Sequence, residues 1–176
     1  MTTLLYIVLA IIVLITVLAI LAPKDYEVNR AIVIAKPKGE VFQYLRSLKK
    51  QDEWSPWAKK DPAMEKKFTG TDGEVGALSH WKGNKAVGEG EQEITGIIEG
   101  ERIESELRFL KPFKSTSDAY IDVEAVDEHK TRVVWGFKGK NKFPMSIMML
   151  FMSMDKMMGK EFENGLQSLK SILEKK

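Results

Sequence analysis

Residues 4–22 form an unbroken uncharged run, almost all of it Leu, Ile, Val and Ala. As a helix rising about 1.5 Å per residue, the run would be about 28 Å long, close to the hydrocarbon thickness of a bilayer. The first charged side chain is Lys24, after which the composition is that of a charged, aromatic-containing globular domain. The pattern therefore predicts an N-terminal transmembrane anchor over 1–23 and a folded domain over 24–176.

Two other interpretations of the apolar run compete with a transmembrane helix. A cleaved signal peptide has a basic N-terminal region, a short apolar stretch and small residues before the cut. Here residues 1–3 contain no Lys or Arg, and a cut after Ala22 would have Ile20 at the third position before it and Pro23 directly after it. A buried core helix would need a polar face, which the run lacks. An uncleaved single span fits best.

The basic residues nearest the span favour one orientation. Lys24, Arg30, Lys36 and Lys38 all follow it, and basic residues collect on the cytoplasmic side of membrane spans. We therefore expect the globular domain to lie in the cytoplasm. The chain has no cysteine, so disulfides give no information about its compartment.

Charge is balanced and interspersed along the chain. The 27 basic and 25 acidic residues give a formal net charge of +2, without the basic stripe that binds nucleic acid. Two histidines and no cysteine leave no cluster with the spacing of metal ligands, and no phosphate-binding glycine loop occurs. The sequence thus predicts no nucleic-acid partner, no metal and no cofactor.

Alternation of apolar and polar residues predicts an antiparallel sheet. A first strand over 28–35 is followed by a helix opening at Pro37, whereas 51–62 is interrupted by Trp and Pro and is predicted as a turn and loop. Glycine-containing turns separate the later strands. These are predicted over Glu65–Thr69, 76–82, 87–98, 102–110, 115–126 and 131–138. One polar and one apolar face per strand is typical of a sheet with one covered side.

A single long helix is predicted to cover that side. From Met145 to about Glu174 there is no proline, and apolar residues recur at helical spacing. The stripe consists of Ile147, Phe151, Met154, Met158, Phe162, Leu166, Leu169 and Leu173. About thirty residues would span roughly 45 Å. The predicted fold class is therefore α+β: a curved antiparallel β-sheet wrapped around a long C-terminal α-helix, closed at one end by two short helices.

Several short motifs follow one another in a characteristic order from Asp25 onward. They are Val28-x-Arg30-x-Ile32-x-Ile34-Ala35-x-Pro37-x-x-x-Val41-Phe42, Trp54-Ser55-Pro56-Trp57, Gly73-x-x-Gly76 before Trp81, Gly88-x-Gly90, and Thr131-x-Val133-x-Trp135. In this order they resemble the SRPBCC superfamily, the START-like, helix-grip group that includes the birch-pollen allergen, polyketide cyclase/dehydrase-type and lipid-transfer proteins. The likeness is greatest to its membrane-anchored bacterial polyketide-cyclase-like members.

The resemblance implies a deep cavity between sheet and long helix that holds an apolar or amphipathic molecule, without identifying it. The side chains predicted to line it are Trp81, Phe109, Trp135, Phe137, Met154, Met158 and Phe162. Packing in the hydrophobic core explains large aromatic residues equally well, and a core position is the favoured interpretation for Trp54 and Trp57. His80 and His129 fall at polar positions, and no residue pair has the arrangement of a catalytic acid and base.

Methionine is concentrated where the long helix is predicted to begin. Seven methionines fall within 145–158, and Met149, Met152 and Met157 lie off the apolar stripe. Flexible methionines fill gaps in cores, but an exposed set suits a pocket entrance or a surface resting on lipid.

Three functions fit these features. The preferred one is the binding or transfer of a hydrophobic, lipid-like small molecule by a membrane-anchored domain, with that molecule and the membrane as partners. The second is a polyketide cyclase/dehydrase-type enzyme, which would need a buried carboxylate, tyrosine or histidine projecting into the cavity, for example His80 or Tyr120. The third is a protein-interaction module at the membrane that docks through its methionine-rich surface.

Overall fold

The computed structural model describes residues 1–175, which begin with helix α1 (Thr2–Leu21), none of whose residues is buried. Among the described residues, α1 is the one helix long and apolar enough to cross a membrane. The Thr16 hydroxyl of α1 donates to the carbonyl oxygen of Ile12 at 2.8 Å, so this polar group is satisfied within the helix. The helix ends before Pro23, which cannot continue it.

Seven strands follow and form one antiparallel sheet. They are β1 (Asp25–Ile34), β2 (Glu65–Thr69), β3 (Leu78–Lys82), β4 (Glu89–Ile98), β5 (Arg102–Lys111), β6 (Ser115–Asp127) and β7 (Lys130–Lys140). Their order is β1-β7-β6-β5-β4-β3-β2. The chain thus meanders from β2 to β7, and β1 pairs beside β7. The predicted antiparallel sheet is confirmed, although several strand ends differ from those predicted.

The other helices within residues 1–175 are α2 (Lys38–Leu45), α3 (Leu48–Trp54), α4 (Pro56–Lys60), α5 (Met145–Met148) and α6 (Met154–Lys175). Four of them, α2, α3, α4 and α6, cover the inner face of the sheet, whereas α5 contacts α1. The helix α6 lies along β1, and α2 packs on β6. Buried Phe162, Leu166, Leu169 and Leu173 form the inward stripe of α6 and join the main core cluster.

The segment 51–62, predicted as a turn and loop, is helical for most of its length. Ser47 directly precedes α3: its hydroxyl oxygen accepts from the Lys50 N–H at 3.2 Å, and its O–H donates to the Asp72 carboxylate at 2.6 Å. An N-terminal serine of this kind satisfies a backbone donor that the helix leaves unpaired. Pro56 is the first residue of α4, the position where proline fits a helix best.

The prediction of one helix from Met145 to Glu174 is wrong in its first third, where the chain forms the short helix α5 and a break before α6. Between α5 and α6, residues 149–153 form tight turns in which the N–H groups of Leu150 and Phe151 reach carbonyls only three residues back. Residues 149–152 are all apolar, so periodicity does not distinguish a helix from a turn there, and Ser153 is a residue type preferred just before a helix. The helix α6 is consequently about 33 Å long.

Gly165 allows α6 to approach the ring of Trp135. A Cβ atom there would lie 2.7 Å from Cζ3 of Trp135 and 3.1 Å from Cδ of Pro56. We expect Gly165→Val to lower the free energy of unfolding by about 1–3 kcal/mol because rigid rings cannot make room. Urea denaturation measures the change. Gly39→Val on α2, where nothing lies within 4 Å of the added atom, is the control, and equal losses would contradict this explanation.

Arg30 of β1 forms ion pairs with two acidic residues in the first half of α6. Its guanidinium donates to Asp155 and to Glu163, each at 2.7 Å. The hydrogen bond from Arg30 holds the pKa of Asp155 below its ordinary value. The two carboxylates in turn raise the pKa of the guanidinium, so Arg30 is charged at every accessible pH.

This contact predicts a pH-dependent loss of stability in Asp155→Asn. A carboxyl with a lowered folded-state pKa stabilises the fold above its unfolded value of about 3.9, and that contribution disappears as the pH falls through the folded value. Wild type and variant should therefore differ in free energy of unfolding near pH 7 and converge as the pH falls through the lowered folded-state pKa of Asp155. Urea denaturation over a pH series from neutral into acid measures this, with exposed Asp118→Asn as control. A difference that persists in acid would refute the assignment.

Candidate functional site

A cavity of about 260 Å³ lies between the inner face of the sheet and helices α3, α4 and α6. Its apolar lining consists of Leu48, Trp57, Met64, Trp81, Ala86, Val87, Leu107, Phe109, Ala119, Trp135, Phe137, Met158 and Phe162. The polar lining residues are Gln51, Asp52, Ser55, Lys66, Ser79 and Gln92. A predominantly apolar wall with a few polar groups is the usual composition of a small-molecule site.

Four aromatic rings form the wall between β7 and α6. The ring of Phe162 stacks on Phe137 at 5.5 Å and 17°, and its centroid lies 4.2 Å from that of Trp135. Trp57 meets Trp135 and Phe162 edge-on, at 5.7 Å and 6.0 Å. Because offset and edge-to-face contacts are favourable beyond the area they bury, each ring holds its neighbours in place. This wall is therefore formed without a ligand.

Trp81 and Phe109 form the opposite wall, with ring centroids 6.0 Å apart. Both pair with Gly90, which lies between them in the sheet. A Cβ atom on Gly90 would lie 2.5 Å from Cζ2 of Trp81, so the glycine leaves the space that the indole occupies. This contact explains the second glycine of the Gly88-x-Gly90 motif.

Six of the seven residues predicted for the cavity are brought together along its wall, namely Trp81, Phe109, Trp135, Phe137, Met158 and Phe162. Met154 is not among the lining residues. It is the first residue of α6 and packs, partly buried, against the core cluster. The role of the six residues in ligand binding stays a prediction.

The sequence did not identify the part of the lining that comes from α3 and α4. Gln51 and Asp52 project from α3, and Trp57, favoured as a core residue, lines the cavity from α4. Trp54 is completely buried behind Trp135, with ring centroids 4.7 Å apart. Its indole N–H has no hydrogen-bond partner among the described residues.

The polar groups of the cavity divide into an ion pair and neutral groups. Asp52 and Lys66 bind each other, and their side chains keep 33% and 19% of their exposure, which places them at the opening. Farther in, the Gln92 amide nitrogen lies 3.5 Å from the Ser105 hydroxyl, and Ser79 is buried. Among residues 1–175, the side chains that line the interior therefore offer neutral hydrogen-bonding groups and no unpaired charge.

The two side chains named as candidates for the enzyme hypothesis, His80 and Tyr120, are not among the lining residues of this cavity. The Tyr120 hydroxyl donates to Glu27 at 2.6 Å, and burial together with this hydrogen bond raises the pKa of Tyr120 to about 12. His80 lies 3.6 Å from Glu89. No histidine and no tyrosine of residues 1–175 is among the residues that line the cavity. The same residues contain no group of three or more His, Asp or Glu side chains placed to hold a metal ion.

Solved structures with the same architecture exist. The Mll3558 protein from Rhizobium loti aligns with a TM-score of 0.62 at 15% identity, over 84% of this chain and 96% of its own. The Aha1 dimer from Colwellia psychrerythraea gives 0.55 at 14%, over 82% and 93%. Ara h 8.0201 gives 0.55 at 14%, over 84% and 99%. The chain has the helix-grip fold.

The helix-grip fold explains where the cavity lies, because the curved sheet and the long helix do not pack against each other along their whole length and leave a space between them. At identities of 14–15% the likeness establishes the fold and leaves the function open. No protein-family profile matches the chain, and no curated protein matches it.

Proposed function

We propose that this protein binds or transfers a hydrophobic, lipid-like small molecule beside a membrane in which α1 anchors it. The observation that carries the proposal is the preformed cavity, whose lining is mostly aromatic and aliphatic. Apolar walls favour an apolar ligand because its transfer from water is favourable in proportion to the buried area. The absence of unpaired charge inside the cavity agrees with such a ligand.

The size of the cavity limits the ligand. Its volume of about 260 Å³ lies just below the roughly 300–1,000 Å³ typical of sites for drug-sized molecules. A single acyl or isoprenyl chain suits this space, whereas both chains of a diacyl lipid exceed it. Ser79 and Gln92 supply neutral hydrogen bonds, which favours a hydroxyl, carbonyl or amide group on the ligand.

The anchor supports the same function. The helix α1 has no charged residue and is long enough to cross a bilayer. Basic residues follow it, which favours a domain on the cytoplasmic side. A domain held at the bilayer surface has apolar molecules within reach, so the anchor places the cavity beside its source of ligand.

Energy transfer from tryptophan tests the proposal in the full chain reconstituted in lipid nanodiscs. Trp57, Trp81 and Trp135 line the cavity, so a dansyl-labelled medium-chain fatty acid, with its acyl chain inside and its carboxylate and dansyl group at the opening, should be sensitised strongly. We expect saturation at one probe per chain and reversal by an unlabelled single-chain lipid. Transfer that rises linearly with probe and is not reversed would mean that the probe only dissolves in the bilayer.

A further inference from the structure

The sheet register shows which connections lie at the same end as α1. Strand residues paired at that end are Asp25 with Lys140, Ser115 with Phe109, Lys111 with Glu89, and Lys82 with Glu89 and Glu65. The connections there are 23–24, 61–64, 83–88, 112–114 and 141–153, and we call this the anchor end. The opposite end carries the connections 35–37, 70–77, 99–101 and 128–129.

The two ends differ in charge. Anchor-end connections contain Lys24, Lys85, Lys114 and Lys142, all exposed and none in an ion pair within residues 1–175. Their one acid, Asp61, accepts hydrogen bonds from the backbone N–H groups of residues 63 and 84. The opposite connections contain Lys36 and the acids Asp72, Glu74, Glu99, Glu101 and Glu128. Arg46, between α2 and α3, also lies at that end, where it pairs with Glu99 at 3.3 Å. Positive charge therefore faces the side of the anchor.

The anchor end also exposes large apolar side chains. Phe113, Phe143 and Phe151 are 70%, 66% and 79% exposed, and Met148, Met152 and Met157 are each exposed by nearly half. This surface is continuous with the anchor: α5 contacts α1, and Asn141 donates its backbone and side-chain N–H groups to the carbonyls of Lys24 and Pro23 at 2.8 Å and 3.1 Å. Apolar residues rimmed by lysines are typical of membrane-contacting surfaces.

The cavity opens toward the same end. Exposed Ala86 and half-buried Val87, both in the 83–88 connection, line it, and so does Met64 from 61–64. Phe109 and Phe137 line it from the parts of their strands near the anchor end. The opening, the lysines and the exposed phenylalanines thus share one side of the domain.

From this juxtaposition we infer that the anchor end docks on the anionic lipid of the leaflet from which α1 emerges. The lysines bind acidic headgroups, the three phenylalanines insert among the acyl chains, and the cavity opening lies against the leaflet. A single-chain ligand then moves between bilayer and cavity without crossing water. The inference rests on the proposed function, since α1 must span the membrane.

The absence of cysteine from the chain allows a clean site-specific test. Full-length Phe151→Cys, labelled with an environment-sensitive fluorophore, is reconstituted in phosphatidylcholine vesicles with or without phosphatidylglycerol that carry an acyl-chain nitroxide. Phe113→Cys is the second labelling site. Val75→Cys is the control, because Val75 is 60% exposed at the opposite end. We expect strong quenching at 151 and 113 in anionic vesicles and none at 75; equal quenching at 151 and 75 would overturn the inference.

Charge reversal tests the anionic lipid. Lys85→Glu, Lys114→Glu and Lys142→Glu combined should reduce quenching at 151 several-fold, and raised salt should act in the same direction. The control combines Lys49→Glu, Lys50→Glu and Lys130→Glu, which changes net charge equally near the opposite end, where the Lys49 N–H reaches Asp72 and Lys130 begins β7. Equal quenching in neutral and anionic vesicles, or equal effects of the two triple variants, would refute selection of acidic headgroups.

Failure of docking and failure of the proposed function give different results. If the full chain does not float with the vesicles, anchoring by α1 fails, and docking fails with it. If it floats, saturates with the dansyl fatty acid and leaves the 151 label in water, ligand binding stands and docking is overturned. Quenching at 151 without saturable binding of the dansyl probe would support docking and refute the proposed binding of a hydrophobic ligand.

Discussion

Substitution of Leu169 by alanine is expected to lower the free energy of unfolding by about 2–5 kcal/mol. Leu169 is completely buried on the inward stripe of α6, in the cluster that joins helix and sheet. The loss combines the transfer free energy of the deleted methyl groups with the cost of the void left behind. Since a domain of this size is stable by only about 5–15 kcal/mol, the variant should unfold at markedly lower urea concentration.

The control for Leu169→Ala lies on the same helix. Met157 is 48% exposed, so Met157→Ala should change the free energy of unfolding by no more than about 0.5 kcal/mol. Urea denaturation of both full-length variants, followed by tryptophan fluorescence, measures the difference. Similar losses in the two variants would show that α6 does not pack on the sheet through this stripe.

Ala119→Phe is expected to weaken binding of the dansyl fatty acid by about tenfold or more, because the new ring occupies ligand volume. Ala119 lies on β6 and lines the cavity. The same ring fills empty apolar space, so the ligand-free variant should unfold at the same or a higher temperature. A binding loss without a stability loss separates a blocked site from a damaged fold.

The matched control for Ala119→Phe is Thr116→Phe on the same strand. Thr116 is exposed and alternates onto the outer face, so a phenylalanine there should leave probe binding unchanged. Energy-transfer titrations in nanodiscs compare the two. If Ala119→Phe binds the probe as tightly as wild type, the probe does not occupy the cavity.

The fold was predictable because its two main signals are long. Alternation over successive strands, with glycine at the turns, predicted an antiparallel sheet, and the 3.6-residue stripe through Phe162, Leu166, Leu169 and Leu173 predicted the covering helix. The break before Met154 was missed because consecutive apolar residues fit a helical stripe as well as a turn. Local periodicity alone does not distinguish them.

Only the cavity-lining residues that lie on the strands and on the last helix could be predicted from the sequence. Alternation shows which way Trp81, Phe109 and Trp135 point within a strand, and all three line the cavity. The positions of Gln51, Asp52 and Trp57 depend on how α3 and α4 sit over the sheet, which is long-range packing that no short pattern encodes. The division of charge between the two ends likewise became visible only from the register.

Native mass spectrometry of the full chain ejected from nanodiscs tests the central claim most directly. We expect one apolar, single-chain molecule to remain bound to each wild-type chain and to be missing from Ala119→Phe, while Thr116→Phe retains it. Lipid held only by α1 would be carried equally by all three proteins. The same adducts on wild type and Ala119→Phe, or none on either, would contradict a ligand-binding cavity.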